Sequence, residues 1–236
     1  MCGRYTITIP ANAAREDLGL TEMPEGYEPR YNVAPTQHVA VVANNGERKA
    51  EWMHWGLIPY WAKDASIASR LINARSETIT EKPAFKNAFN KRRCLVLADG
   101  FYEWKKGAGP GGKSQPYYFK RADGKAFAFA GLWEFWRGPS GAPDGEEVRS
   151  CTIITTEANG LVKPVHERMP VMLSGDDLWT WLGEDLGDAA GPEELQAALL
   201  PLLRPYPEDA MVGYPVSTLV NRPGLDIPDL VAQVPA

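Results

Sequence analysis

Short apolar runs separated by turns dominate the pattern of hydrophobic and polar positions along this chain. Runs of this length are typical of strands, and we predict six of them, at 38–43, 49–55, 94–98, 117–121, 126–130 and 150–156. Asp123-Gly124 lies between two of these runs. Because this dipeptide favours a tight two-residue turn, it predicts a hairpin that joins the flanking strands.

Helical spacing is rarer. Ser174, with Asp177 three residues later, resembles an N-cap; Leu178, Trp181 and Leu182 follow at helical spacing, and Gly183 predicts the helix end. Pro192 fits the first turn of a second helix, which carries Leu195, Ala198 and Leu199. Strands do not alternate with long helices, so we predict an α+β fold with antiparallel sheets, in a single domain spanning residues 1–236.

Composition limits the class of protein further. At 236 residues and 44% apolar content, the chain has enough hydrophobic surface for a real core. Glycine-rich stretches at 107–112 and 138–145 are expected to form exposed loops between strands. No apolar run approaches the roughly 20 residues of a membrane span, and the N-terminus lacks a secretory pattern. We therefore expect a cytoplasmic globular protein that does not contact membranes.

The net charge of −5 is unevenly distributed. Eight basic residues face three acidic ones between Lys63 and Arg93, whereas two face eleven from Ser174 onward. Because contacts to phosphate depend on local charge, an acidic protein can still offer a basic surface to nucleic acid. The alternative for the Lys91-Arg92-Arg93 run is a solvated helix face.

Cys2 is the most unusual candidate for chemistry. If the initiator methionine is removed, Cys2 becomes a terminal residue with an α-amine of pKa about 8 beside a thiol of pKa about 8.5. Such a pair can form a Schiff base with an aldehyde and then close a thiazolidine ring, or attack an acyl carbon through sulfur. Gly3 allows close backbone approach to a ligand, and Arg4 adds a positive charge.

The other two cysteines, Cys94 and Cys151, lie in apolar runs and are expected to pack in the core rather than form disulfides. No spacing of cysteine and histidine predicts a metal site, and no glycine-rich phosphate loop is present. We therefore expect neither a metal nor another cofactor.

Several polar residues stand out among apolar neighbours. Glu103 can move the proton of an amine, His166 can act as an acid near neutral pH, and Asn73 can orient a carbonyl. The planar forks of Arg4, Arg75 and Arg168 can bind phosphates. Trp55 and Trp61 offer stacking surfaces for bases, although most of the eight tryptophans are expected to fill the core.

Together these segments resemble the SOS response-associated peptidase (SRAP) family of abasic-site-processing proteins. The motifs in common are Met1 to Tyr5, Tyr31 to Thr36, Trp55 to Pro59, Leu71 to Thr78, Ala98 to Trp104, Ile153 to Asn159, His166 to Val171 and 215–221. They cover most of the chain and occur in the same order. The resemblance implies a barrel-like β core with a few peripheral helices, and a groove for single-stranded DNA or a junction of single and double strands.

The resemblance further implies that processed Cys2 captures the ring-opened aldehyde of an abasic deoxyribose and closes a thiazolidine. In that scheme Asn73 orients the sugar, Glu103 assists proton transfer at the amine, and His166 promotes ring opening and reversal of the crosslink. The implied DNA-binding residues are Arg4, Asn32, Pro35, Trp61, Arg75, Lys86, Thr155 and Arg168. Removal of Met1, either by autoproteolysis or by an aminopeptidase, and strand cleavage of the lyase type are also implied, for a monomer that associates with the nucleoid.

Two other classes of function remain open on the residues alone. An N-terminal-nucleophile amidohydrolase of the glutamine amidotransferase type also exposes a cysteine followed by glycine, with Arg75 on a substrate carboxylate and Asn73 in an oxyanion hole. A single-strand binder without catalysis would use stacking and phosphate contacts, with Cys2 incidental. Ammonia release from glutamine distinguishes the first, and undiminished native DNA binding without an adduct in Cys2→Ala distinguishes the second.

Overall fold

The computed structural model describes residues 2–107, 112–138, 147–184 and 191–235. Its strands are β1 Arg4–Ile7, β2 Arg30–Val33, β3 His38–Ala43, β4 Ala50–Trp55, β5 Asn73–Arg75, β6 Arg93–Ala98, β7 Gly100–Lys105, β8 Gln115–Arg121, β9 Phe127–Trp136, β10 Val148–Glu157, β11 Arg168–Pro170, β12 Met172–Leu173 and β13 Met211–Pro215. The α-helices are α1 Ala11–Leu18, α2 Lys86–Lys91, α3 Asp177–Leu182 and α4 Pro192–Leu199. Short 3-10 helices include Ala65–Arg70, Ser76–Thr78 and Thr218–Asn221.

Five strands close a barrel. They pair in the order β10-β4-β3-β6-β9, and β9 returns to pair with β10 along six residues from Val148 to Ile153. Most of these pairs are antiparallel, but β10 runs parallel to β4 and to the short strand β5. The predicted α+β class with an antiparallel, barrel-like core and few helices is confirmed; the parallel pairs are an addition to it.

A second sheet of five strands has the order β13-β8-β7-β1-β2. In it β1 is an interior strand, because it pairs with β7 on one side and with β2 on the other. One apolar cluster combines Val41, Val96 and Phe129 of the barrel with Tyr5 and Phe101 of this sheet. The two sheets therefore pack against each other, and the beginning of β1 lies at their junction.

The barrel wall is apolar on both faces. Val39 and Val41 of β3 belong to the cluster with the second sheet, whereas the alternate residues Ala40 and Val42 pack with the helices on the other side. The part of β3 at 39–43 lacks polar positions for this reason, and only His38 at its start is polar and exposed. The six predicted strands all exist, and β9 extends six residues beyond the predicted end at 130.

The predicted hairpin at Asp123-Gly124 is wrong. A turn does form there, with Gly124 at φ 73°, but β8 pairs with β7 and β13 whereas β9 pairs with β6, β10 and β12. The two strands therefore leave the turn into different sheets. Each strand buries its apolar residues against partners distant in sequence, and this pairing overrides the local turn signal.

Both predicted helices are present as α3 and α4, and Gly183 ends α3 in the left-handed conformation at φ 90°. The Ser174 cap is wrong: Asp176 is the N-cap residue of α3, and Ser174 Oγ instead lies 3.1 Å from the hydroxyl of Tyr206. The loop expected at 138–145 and most of that at 107–112 lie outside the described residues.

The run Lys91-Arg92-Arg93 is not a solvated helix face. Arg93 is buried and donates to carbonyls at the ends of two helices, those of Phe89 and Asn90 in α2 and of Trp181 and Leu182 in α3. Burial lowers the pKa of Arg93 to about 10. Arg92 forms an ion pair with the buried Glu134. Only Lys91 is exposed, so the run adds little free charge to the surface.

Cys94 and Cys151 are buried core residues, as predicted. Within the described part of the chain, no helix has the length and apolar content needed to cross a bilayer.

Candidate active site

Strand pairing brings Cys2 next to Glu103. Arg4 of β1 pairs with Tyr102 of β7, so the chain ahead of Arg4 continues along the half of β7 that carries Glu103. Cys2 is fully buried, and its sulfur lies 4.0 Å from the carbonyl oxygen of Arg4. Cys2, the main candidate for chemistry in the sequence, is therefore a core residue in this structure.

The thiol of Cys2 and the carboxyl of Glu103 share an environment of low polarity. Burial raises the pKa of the Cys2 thiol, and the negative charge of Glu103 raises it further. Burial also raises the pKa of Glu103 to about 7. At neutral pH the thiol is therefore protonated, contrary to the partly ionised thiol expected of a free terminus, and Glu103 is poised to exchange a proton.

Asn73 holds the backbone of Cys2. Its Nδ2 donates to the carbonyl oxygen of Cys2 at 2.9 Å. Asn73 is the first residue of β5, which pairs in parallel with β10 so that Asn73 lies opposite Ile153. The other amide atom, Oδ1, is buried and has no hydrogen-bond partner among the described residues. A buried acceptor of this kind is ready for a donor that arrives with a ligand.

His166 lies two residues before β11, between residues that pack in the same apolar cluster as Cys2. Val165 and Met169 pack in the cluster that contains Cys2. His166 Nδ1 lies 3.0 Å from the amide nitrogen of Arg168 and 3.1 Å from its carbonyl oxygen. The amide can donate to an unprotonated Nδ1 and the carbonyl can accept from a protonated one, so this backbone serves both states of the ring. Burial lowers the pKa of His166, and the nearby charge of Lys106 acts in the same direction.

Arg4 and Asn32 form a second group beside β1. Arg4 Nη1 donates to Asn32 Oδ1 at 2.8 Å and to the carbonyl oxygen of Val220 at 2.7 Å. Asn32 is buried, and its Nδ2 contacts three carbonyl oxygens between 2.8 and 3.3 Å, those of Val220, Arg222 and Leu225. The amide of Asn32 is thus used inside the protein, where it fastens the segment at 220–225 to β2.

Arg168 is held by Thr155 and Glu77. Its Nη2 donates to the carbonyl oxygen of buried Thr155 at 2.6 Å, and its Nε lies 3.3 Å from Thr155 Oγ1. Nη1 and Nη2 donate to the two carboxylate oxygens of Glu77 at 2.7 and 3.0 Å. Hydrogen bonding to Arg168 holds the pKa of Glu77 below its usual value, so Glu77 is ionised and compensates the charge of Arg168.

The remaining predicted residues differ in their exposure. Arg75 and Lys86 are exposed, and neither forms a hydrogen bond or ion pair through its side chain with another described residue. Pro35 is half-buried in the turn between β2 and β3. Trp61 is 47% exposed, as a stacking residue must be. Trp55 is fully buried and donates to the carbonyl oxygen of Ile72, so its proposed stacking surface is wrong.

Glu77 received no role in the sequence analysis. It stands two residues after Arg75, but its partner Arg168 is 91 residues away, and spacing alone gives no sign of that pair. The only signal was its place in the polar segment from Leu71 to Thr78. Across the described residues, no group of three or more histidine, cysteine and carboxylate side chains is arranged to hold a metal ion.

Known proteins are similar in sequence to this chain over most of its length. The chain is 42% identical over 234 residues to the abasic site processing protein YoqW of Bacillus subtilis (strain 168), an alignment that covers 98% of this chain and 99% of that protein. It is 30% identical over 278 residues to the abasic site processing protein HMCES of Xenopus tropicalis, covering 99% of this chain and 78% of HMCES.

Solved structures have the same fold. A protein from Bacteroides thetaiotaomicron superposes with a TM-score of 0.81 at 26% identity, covering 99% of this chain and all of that one. A protein from Bordetella bronchiseptica superposes with a TM-score of 0.73 at 28% identity, covering 92% of this chain. The family model described as SOS response associated peptidase (SRAP) matches residues 1–223. The match of this family model and the two relatives together show that the chain belongs to the SRAP family.

Proposed function

We propose that this protein processes abasic sites in single-stranded DNA by covalent capture at Cys2, after removal of Met1. One observation carries the proposal: the backbone of Cys2 is held by Asn73 at 2.9 Å while Glu103, with a pKa of about 7, lies beside the thiol. Relatives at 42% and 30% identity are named abasic site processing proteins, which supports the same lesion as substrate.

The capture consists of two bond-forming steps. The neutral α-amine of Cys2 adds to the aldehyde carbon of the opened deoxyribose, and loss of one water gives an imine. The sulfur then adds to the imine carbon, and the thiol proton passes to the nitrogen. The product is a thiazolidine that joins the protein to the strand, with one water released overall and no oxidant or reductant consumed.

Glu103 moves the proton in the second step. Because burial keeps the thiol protonated, sulfur can attack only if a neighbouring base takes its proton. Ionised Glu103 accepts that proton and returns it to the nitrogen, and a pKa of about 7 makes both transfers accessible. Asn73 Oδ1, buried and without a described partner, accepts from the sugar or the amine and orients it.

His166 opens the sugar ring. The protonated imidazole donates a proton from Nε2 to the ring oxygen of the closed deoxyribose. The imidazole then regains a proton from the C1 hydroxyl, so opening of the sugar consumes no net proton. The Arg168 carbonyl accepts from Nδ1 in this state. The reverse sequence releases the crosslink. Strand cleavage of the lyase type follows from the imine, and removal of Met1 by the protein itself is part of the same proposal.

The strand is proposed to follow a surface near Arg4, Arg75 and Arg168, with Trp61 stacking on a base. Pro35 and Lys86 border that path, while Asn32 acts through Arg4 and the buried Thr155 acts through Arg168. The protein works as a monomer in the cytoplasm, at single strands or at junctions with duplex DNA.

Incubation with a single-stranded oligonucleotide that contains one abasic site tests the proposal. Wild type should give a band that survives denaturation, and Cys2→Ala should not. The intact mass of the adduct must equal the mass of the protein without Met1 plus the mass of one oligonucleotide, less one water. A wild-type protein that starts at Cys2, binds the oligonucleotide and yet forms no adduct would reject the proposal.

Borohydride reduction separates the roles of nitrogen and sulfur. Cys2→Ala with Met1 removed keeps its α-amine, so it should form an imine that borohydride traps. Absence of trapped product, in a variant whose mass confirms a free alanine terminus, would contradict the role of the amine. Release of ammonia from glutamine by wild type would instead support the amidohydrolase alternative.

A further inference from the structure

Glu77 occupies the face of Arg168 that a phosphate would use. Its two carboxylate oxygens accept from Nη1 and Nη2 at 2.7 and 3.0 Å. A guanidinium offers the same pair of parallel N–H bonds to a carboxylate and to a phosphate. In the structure this pair of donors is therefore already engaged by an anion that belongs to the protein.

The ion pair lies close to the reacting residues. Thr155, whose carbonyl oxygen accepts from Arg168, lies opposite Arg75 in the pairing of β10 with β5. Asn73 is two residues before Arg75 on β5. A strand rises about 3.3 Å per residue, so Arg75 lies roughly 7 Å along β5 from Asn73, which holds Cys2. A DNA strand attached at Cys2 would therefore begin close to this ion pair.

The two partners differ in how they are held. The side chain of Arg168 is 16% exposed and is fixed by buried Thr155, whereas that of Glu77 is 51% exposed. Glu77 belongs to the three-residue 3-10 helix Ser76–Thr78. The carboxylate is thus the outer partner, and it can leave while the guanidinium stays in place.

We propose that Glu77 is a counter-charge that competes with DNA phosphate for Arg168, and so limits the affinity of this site for a single strand. The inference rests on the proposed function, because it requires a strand near Cys2. Glu77 then sets the affinity of the protein for single-stranded DNA without touching the reacting atoms.

Binding of an undamaged single-stranded oligonucleotide, followed by fluorescence anisotropy, tests this role without involving the chemistry of Cys2. Glu77→Gln should bind about three- to tenfold more tightly than wild type, because it frees one cation next to the strand. The logarithmic salt dependence should steepen by up to about 0.7, the contribution of one phosphate contact. Glu77→Ala should show the same gain.

Glu81→Gln is the matched control. Glu81 is exposed, lies in the same segment and forms no ion pair with another described residue, so the variant makes the same change in net charge. It should bind like wild type within about twofold. In an Arg168→Gln background the gain from Glu77→Gln should disappear, because the cation that it frees is absent.

Equal or weaker binding by folded Glu77→Gln would overturn the inference and make Glu77 a residue that orients Arg168. A gain that persists in the Arg168→Gln background, or that Glu81→Gln reproduces, would also overturn it, because the effect would then be general repulsion. Wild type that binds no single strand at low salt would refute the proposed function itself. Wild type that binds, with no gain in Glu77→Gln, refutes only this inference.

Discussion

Two arginines border the site, and their surroundings differ. Arg4 donates to neutral acceptors, Asn32 Oδ1 and the carbonyl of Val220, and none of the described carboxylates forms an ion pair with it. Arg168 is paired with Glu77 through both Nη atoms. Arg4 therefore keeps a full positive charge in a half-buried position, whereas the charge of Arg168 is compensated.

The difference shows that a count of basic residues overstates the positive electrostatic potential of a surface. Neutral acceptors fix a guanidinium without cancelling its charge, and a carboxylate fixes it and cancels the charge. The segment from Lys63 to Arg93 also has less free charge than its count of basic residues predicts. Arg92 is paired with Glu134, and Arg93 is buried against helix ends. The charge that a surface offers to a ligand depends on partners that are distant in sequence.

The largest effect is expected at the neutral anchor of Arg4. Asn32→Ala leaves Arg4 and three carbonyls without the amide that binds them, and it should lower the free energy of unfolding by about 3 kcal/mol. Urea denaturation measures the change. A loss below about 1 kcal/mol would show that the segment at 220–225 is held by other contacts.

The next largest effect is expected at Glu103, which should control the rate of capture. Glu103→Gln should slow it about a hundredfold, the usual size of a general-base effect. In a His166→Gln background the rate should rise with pH through about 7, because the raised pKa leaves Glu103 protonated below that value and able to accept a proton above it. Rapid-quench gels give the rates. The α-amine, with a pKa of about 8, gives its own rise at higher pH in every variant, so a rise with its midpoint near 7 that survives in Glu103→Gln, His166→Gln would contradict this role.

The two arginines themselves should differ in binding. Arg4→Gln should weaken binding of an undamaged single strand by about tenfold, whereas Arg168→Gln should weaken it about twofold, because Glu77 already compensates the second charge. Anisotropy at fixed salt compares them, after circular dichroism has shown that both variants are folded. Equal losses would remove the contrast between the two sites.

The smallest effect is expected on stability at Arg168. Glu77 is half exposed, so its ion pair is screened by water, and Glu77→Gln should change the free energy of unfolding by less than about 1 kcal/mol. The same urea experiment as for Asn32→Ala measures it. A large loss would mean that Glu77 has a structural role like that of Asn32.

Local sequence predicted the elements that are uniformly apolar. The run at 38–43 matches β3 because both faces are buried from Val39 to Ala43, and Gly183 ends α3 because a left-handed residue is needed there. The short strands β1, β5 and β7 were not predicted. Their polar residues Arg4, Asn73 and Glu103 interrupt the apolar pattern, since these positions serve the site.

Pairing between distant segments could not be predicted. The Asp123-Gly124 turn is real, yet its strands enter different sheets, because each is stabilised by neighbours elsewhere in the chain. Likewise the sequence indicated Cys2, Asn73 and Glu103 as candidates for chemistry, and the structure brings them together. The burial that raises the pKa of the Cys2 thiol, and the Glu77 partner of Arg168, depend on the folded chain.

The interior position of β1 has a mechanical consequence. Cys2 stands just before a strand that is hydrogen-bonded on both edges, to β7 and to β2. If DNA is joined to Cys2 as proposed and is pulled along β1, the tension loads both ladders in shear, so the bonds to β7 and to β2 would have to fail together. A polymerase or helicase that pulls on the strand would meet a firm anchor, and release would depend on chemistry rather than on force.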